Sequence, residues 1–189
     1  MRIIAGKFKG LTLHISKDIN TRPLKDLVRE SIFNLITHSN KINSKIENSQ
    51  ILDLYSGTGS FGLECISRNA KSVFFIENKI SALKILKKNI EKLNVEKETN
   101  VIFGDVFNIM DKYKKIPSNF DIVFCDPPFK NENIYGLIES IFKRKLLKNN
   151  GIIILHRKKN TKEELPYYFN KLDERIYGMS KIIFGNFLF

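Results

Sequence analysis

The chain has 189 residues, enough for one globular domain with a small extension. Its 32 Lys and Arg against 20 Asp and Glu give a net charge of +12, which tilts towards a polyanionic partner, although a general enrichment in Lys, Asn and Ile gives the same sign. Two cysteines, Cys65 and Cys125, both in apolar segments, exclude a disulfide scaffold. The opening MRIIAGKFKG has no apolar signal core and no run approaches a membrane span, so a cytoplasmic protein without membrane contact is expected.

In chain order, a Gly-punctuated hairpin over Arg2–Leu13 leads to a helix whose first turn suits Pro23. Leu24, Leu27, Val28, Ser31, Leu35 and Ile36 form the expected buried stripe of that helix. The polar stretch Ser39–Ser49 reads as a linker, which divides the chain into an extension over 1–49 and a main domain over 50–189. From there, apolar runs alternate with helical patterns. Strands are expected at Gln50–Tyr55, Ser72–Glu77, Thr99–Gly104, Phe120–Asp126 and Gly151–His156, and a helix over Lys79–Leu93. The runs are continuous rather than alternating, as in parallel strands covered on both faces, so the fold class is a doubly wound α/β sheet. Glu174–Tyr177 and Lys181–Phe187, flanking Gly178, read as two strands closing one edge.

Asp53-Leu-Tyr-Ser56-Gly57-Thr-Gly59-Ser-Phe-Gly62 follows the first strand and opens a helix, where glycines let the chain turn and let a ligand lie on bare backbone. The spacing fits a nicotinamide dinucleotide as well as S-adenosylmethionine. Glu77, ending the second strand, can hold the ribose hydroxyls of either. Asp53 favours S-adenosylmethionine, whose sulfonium and ammonium are helped by nearby acid, whereas a pyrophosphate is repelled. Asp105, after the third strand, is either a contact to the adenine amino group or an ordinary helix N-cap.

Asp126-Pro127-Pro128-Phe129 ends the fourth strand at the same edge of the sheet. The prolines fix an extended turn and leave the Pro127 carbonyl without local use. An amino group conjugated to a base is a poor nucleophile. A carboxylate and a carbonyl that accept its N–H bonds turn its lone pair towards a methyl donor, and Phe129 can stack on the base. The competing reading is a strand-terminating turn with a core Phe.

This ordered set, together with Arg2-Ile-Ile-Ala-Gly-Lys7-Phe-Lys-Gly10, Thr21-Arg22-Pro23 and Asp26-Leu-Val-Arg29-Glu30-Ser-Ile-Phe-Asn34, resembles the RsmD family. The resemblance implies a seven-stranded, Rossmann-like class I methyltransferase sheet. It implies methylation by S-adenosylmethionine of the exocyclic N2 amino group of guanine 966 in 16S ribosomal RNA, within the small subunit or an assembly intermediate, by a monomer. It also implies that Asp53, Ser56, Gly57, Gly59, Glu77 and Asp105 line the cofactor pocket, and that Asp126 to Phe129 form the catalytic loop. Arg22 and Arg29 are placed near the base or the RNA backbone. Many relatives carry Tyr where Phe129 stands, a change that keeps stacking and removes a hydroxyl.

Lys7 adds to the positive charge of the extension, and Arg157, just past the fifth strand on the functional edge, is expected to touch RNA too. His14, His38 and His156 lack metal-like spacing, no metal is expected, and none of the three is given a role. The alternatives are an adenine-N6 methyltransferase of DNA or RNA, a protein-glutamine methyltransferase, which typically shows Asn at the Asp126 position, a non-catalytic RNA-binding module and, last, a dehydrogenase.

Overall fold

The computed structural model describes residues 1–16, 24–112, 116–130 and 133–188. The helices are α1 (Asp26–His38), α2 (Ser60–Ser67), α3 (Ile80–Leu93), α4 (Val106–Lys112) and α5 (Ile134–Lys143). The strands are β1 (Gln50–Leu54), β2 (Ser72–Glu77), β3 (Thr99–Phe103), β4 (Phe120–Cys125), β5 (Leu147–Lys158), β6 (Phe169–Tyr177) and β7 (Ser180–Phe187). They form a seven-stranded sheet in the order β3-β2-β1-β4-β5-β7-β6. The first five strands pair in parallel and β7 runs antiparallel to both its neighbours, as a doubly wound sheet with an antiparallel closing strand. The chain direction reverses about β1 and β4, and their carboxyl ends open the crevice where such sheets bind ligands.

Both faces of the sheet are covered at its centre, which is why β1, β2, β4 and the middle of β5 are continuous, mainly apolar runs. Ile51, Phe124, Ile152 and Ile154 face one cluster with α1, α2 and α3. Leu52, Leu54, Val123, Ile153 and Leu155 face the other, with α4 and α5. Among the described residues no helix is long and apolar enough to cross a membrane.

The extension is built into the first cluster. The Arg2–Leu13 hairpin is closed by an isolated Arg2–Thr12 bridge, and Ile3 and Leu13 join the same cluster as the sheet residues. The buried Glu64 of α2 accepts the backbone N–H groups of Ile4 and Ala5 at 2.8 and 2.9 Å. Phe33 of α1, Phe61 of α2 and Phe124 of β4 stack in series, with centroids 5.2 and 4.0 Å apart.

Several expectations shift. α1 begins at Asp26, and Thr21, Arg22 and Pro23 lie outside the described residues. Its buried stripe is Val28, Arg29, Ile32, Phe33 and Ile36, while Leu27 is 67% exposed and Ser31 and Leu35 are half-buried. The expected linker is anchored by the buried Ile42 and Ile46, two residues too widely spaced to show a period. β5 starts earlier than Gly151 and β6 earlier than Glu174, because exposed polar residues interrupt the apolar runs while each strand continues, with a register shift in its pairing.

Candidate active site

β1 ends at Leu54, and Tyr55 and Gly57 both take positive φ, turning the chain sharply before α2. At Gly57, φ is 56° and a Cβ would meet nothing within 4 Å, so the backbone lies bare on its open side. Gly62 is needed for another reason: a Cβ there would lie 2.3 Å from the Phe75 ring, so glycine lets α2 sit tightly on β2. The loop is tied to β2 at two points. Gly57 N–H donates to Glu77 Oε2 at 2.7 Å, and Ser56 N–H donates to the Ile76 carbonyl at 3.1 Å. Glu77 Oε1 accepts from Lys79 N–H at 2.7 Å, and each carboxylate oxygen keeps a further lone pair.

Asp53 sits beneath this loop, fully buried, with Oδ2 accepting from Gly62 N–H at 3.0 Å. Burial holds its carboxyl well above the usual carboxylate range, the Gly62 bond opposes that, and the nearby Asp126 and Glu77 add to it. Asp53 was expected to line the pocket; it scaffolds the loop instead and is not part of the cleft wall. Asp105 is also set apart from the cleft: its Oδ1 accepts from Asn108 N–H at 3.1 Å, which is the N-cap alternative.

A cleft of about 300 Å³ lies at the carboxyl ends of β1, β2, β4 and β5. It brings together Ser56, Gly57, Glu77 and the whole of Asp126 to Phe129, adding His156 and Ser180, which sequence reading had left without a role. The lone histidine had one available signal. The apolar run of β5 ends in His156 at the step where that of β4 ends in Asp126, and Cys125 pairs with Leu155 in register. His156 Nδ1 lies 2.8 Å from Asp126 Oδ1 and Nε2 lies 2.9 Å from the Ser180 hydroxyl. Asp126 Oδ2 has no hydrogen-bond partner among the described residues.

The carbonyls of the proline turn are divided. Arg157, buried and paired with Glu163 at 2.9 Å, donates to the Pro128 and Phe129 carbonyls at 3.3 and 3.5 Å. The Pro127 carbonyl accepts nothing from the described residues. Arg157 therefore braces the turn from within and does not face RNA, the role expected from its charge. Arg29 requires the same correction: it is buried, donates to the Arg2 carbonyl and pairs with Asp26 at 3.0 Å. Its burial lowers the guanidinium pKa, against the opposing pull of Glu64 and Asp26. Lys7 is exposed, but its backbone bonds Ser67 at the far end of α2, about 12 Å along the helix from the glycine loop. Burial pushes the thiols of Cys65 and Cys125 up, so neither is a nucleophile at neutral pH.

A cleft walled by the carboxylates of Glu77 and Asp126 suits a cationic, phosphate-free adenosyl group and disfavours a pyrophosphate. Among the described residues no cluster of His, Cys, Asp and Glu is arranged to hold a metal.

Comparison with known proteins gives the chain a family. Residues 1–186 match the family described as Conserved hypothetical protein 95. The chain is 37% identical to a Ribosomal RNA small subunit methyltransferase D from Buchnera aphidicola, covering 87% of this chain and 79% of that one. The chain belongs to the RsmD family. Among solved structures, it superposes on the putative methyltransferase yhhF from Escherichia coli with a TM-score of 0.83 and 25% identity, covering 98% and 96% of the two chains. The putative methylase HI0767 from Haemophilus influenzae follows at 0.78 and 30%, covering 99% and 98%. RsmD membership makes the seven-stranded sheet a class I methyltransferase fold and the chain a methyltransferase.

Proposed function

We propose that this RsmD-family chain transfers a methyl group from S-adenosylmethionine to the exocyclic N2 amino group of a guanine, at position 966, in 16S ribosomal RNA. In this reading it works as a cytoplasmic monomer on the small subunit or an assembly intermediate. The observation that carries the chemistry is that Asp126 Oδ2 and the carbonyl of the next residue, Pro127, both in the cleft lining, have no partner among the described residues, while their neighbours are engaged by His156 and Arg157. An exocyclic amine has two N–H bonds to give. Two acceptors side by side turn its lone pair out of conjugation, and Asp126 opposes the positive charge that grows on nitrogen. Phe129, half-buried at the cleft, offers a face on which the base can stack. Gly57 and Ser56 would lie along the cofactor and Glu77 would accept from its ribose; when bound, it supplies an electrophilic methyl group.

Basic residues at the rim suit an RNA substrate. Lys25 lines the cleft, Lys130 is exposed directly after Phe129, and the exposed Lys158 and Lys159 are bonded through their backbones to Ser180 and Met179 of the cleft wall. These lysines take the place of Arg29 and Arg157 as phosphate contacts.

The test is methyl transfer from labelled S-adenosylmethionine to unmodified small ribosomal subunits, with the product nucleosides identified by mass spectrometry. N2-methylguanosine is expected. N6-methyladenosine would keep the mechanism and overturn the substrate, and no labelled product would overturn both.

A further inference from the structure

β4 and β5 run parallel with Cys125 opposite Leu155, so Asp126 and His156 emerge side by side one step further on. An ionised carboxylate can only accept, so the proton in the 2.8 Å contact between Asp126 Oδ1 and His156 Nδ1 belongs to the imidazole. On the other side of the ring Nε2 lies 2.9 Å from the Ser180 hydroxyl, which can donate to it or accept from it. Ser180 is itself fixed by backbone pairing with Lys158 on β5 and Tyr177 on β6. The buried imidazole also meets the Phe129 ring edge to face, with centroids 5.4 Å apart and planes at 78°. One side chain thus touches both the carboxylate and the aromatic ring that the proposed chemistry uses.

We propose that His156 is a positioning residue: it clamps Asp126 Oδ1 and backs the Phe129 ring, leaving Oδ2 alone to accept an N–H from the substrate amine. The inference rests on the methyltransferase reading given above. An untethered carboxylate turns about its terminal torsion and offers either oxygen in a broad range of directions. A tethered one offers a single oxygen in one direction, which matters because small misplacements at a reacting centre cost orders of magnitude in rate. The amine gives up one proton on methylation. Oδ2 takes it, because Oδ1 is already occupied by the imidazole N–H, and it passes from there to solvent. The C-terminal hairpin enters the site through Ser180, as the support of the imidazole.

The test compares wild type, His156→Ala, His156→Asn and Ser180→Ala on unmodified small subunits, with kcat and KM measured separately and S-adenosylmethionine affinity measured by calorimetry. His156→Ala is expected to lose kcat on the order of 100-fold, with KM and cofactor affinity little changed. His156→Asn, whose amide N–H can stand in for Nδ1, is expected to recover about tenfold of that loss. Ser180→Ala should lie between wild type and His156→Ala. Wild-type kcat in His156→Ala would overturn the clamp, and so would an Asn variant no better than the Ala one, since that result marks packing alone. Nitrogen NMR of the imidazole gives a second readout, expected to show Nδ1 protonated and its signal displaced in Asp126→Ala. A ring protonated at Nε2 and bare at Nδ1 would overturn the proposal even if His156→Ala failed to fold. Should wild type transfer nothing to small subunits, the substrate reading falls, while the imidazole spectrum still decides the clamp.

Discussion

Asp126 and Asp53 are both aspartates near the carboxyl end of a strand, yet their surroundings give them opposite tasks. Asp126 keeps one oxygen for a ligand, so Asp126→Ala is expected to lower methyl transfer on the order of 10²–10⁴-fold while cofactor binding, by calorimetry, remains. Lost cofactor binding would place Asp126 against the methyl donor instead of the base. Asp53 is buried, and its carboxyl is raised well above the ordinary range, chiefly by desolvation. A raised folded-state pKa means that folding takes up a proton, so this contribution is present below the unfolded pKa and is lost as pH rises through the folded one. Asp53→Asn keeps an acceptor for Gly62 N–H and removes the titration. Its stability relative to wild type is therefore expected to improve from pH 5 to pH 8, as read by urea unfolding. An unchanged difference would mean that Asp53 ionises freely. The arginines show the limit of reading charge at this scale: Arg29 and Arg157 look like phosphate contacts in a basic sequence, and nothing short of the fold tells that both are buried.

At the scale of elements, the strands were legible wherever both faces of the sheet were covered. β1, β2 and β4 appear in the sequence as continuous apolar runs, and their carboxyl ends carry the glycine loop, Glu77 and the Asp126 turn that were named in advance. β5 was read short because Asn149 and Asn150 are exposed, and α1 was read with its stripe turned because Leu27 is an exposed leucine. His156 stayed hidden for another reason. Its partner lies 30 residues away, and only the β4–β5 register joins them. The stack of Phe33, Phe61 and Phe124 couples α1 through α2 to the strand that carries Asp126. Phe61 is 1% exposed at the centre of this stack, so Phe61→Ala is expected to cost about 3–5 kcal/mol in denaturant unfolding. A loss under 1 kcal/mol would mean that the helices close over the gap.

At the scale of the whole molecule, charge around the cleft is sorted by position: the carboxylates of Glu77 and Asp126 in its wall, lysines at its rim. Under the proposed function, a polyanion meets the rim and a small cation enters the cleft. Replacing Lys25, Lys130 or Lys158 by Ala is expected to weaken RNA binding and to lower the slope of log K against log salt by about 0.7–0.9 per lysine. Unchanged slopes would move the RNA to another face. The family resemblance and the doubly wound fold class were accessible from sequence because they depend on motifs in chain order. The division between rim and interior was not, since it depends on which side of each element a cation occupies.

His156 and Arg157 are consecutive residues on β5, so the pleat sends them to opposite faces, one to the Asp126 carboxylate and the other to the carbonyls of the proline turn. Sliding β5 by one residue would exchange the two, setting a guanidinium on the carboxylate and an imidazole among the carbonyls. The antiparallel ladder of β5 with β7, from Ile153–Gly185 to Lys158–Ser180, guards against that slip. A strand at the edge of the chemistry thus acts as its ruler. Shortening β5 by a single residue between Ile152 and Leu155 would put the reacting groups out of phase even with every side chain retained.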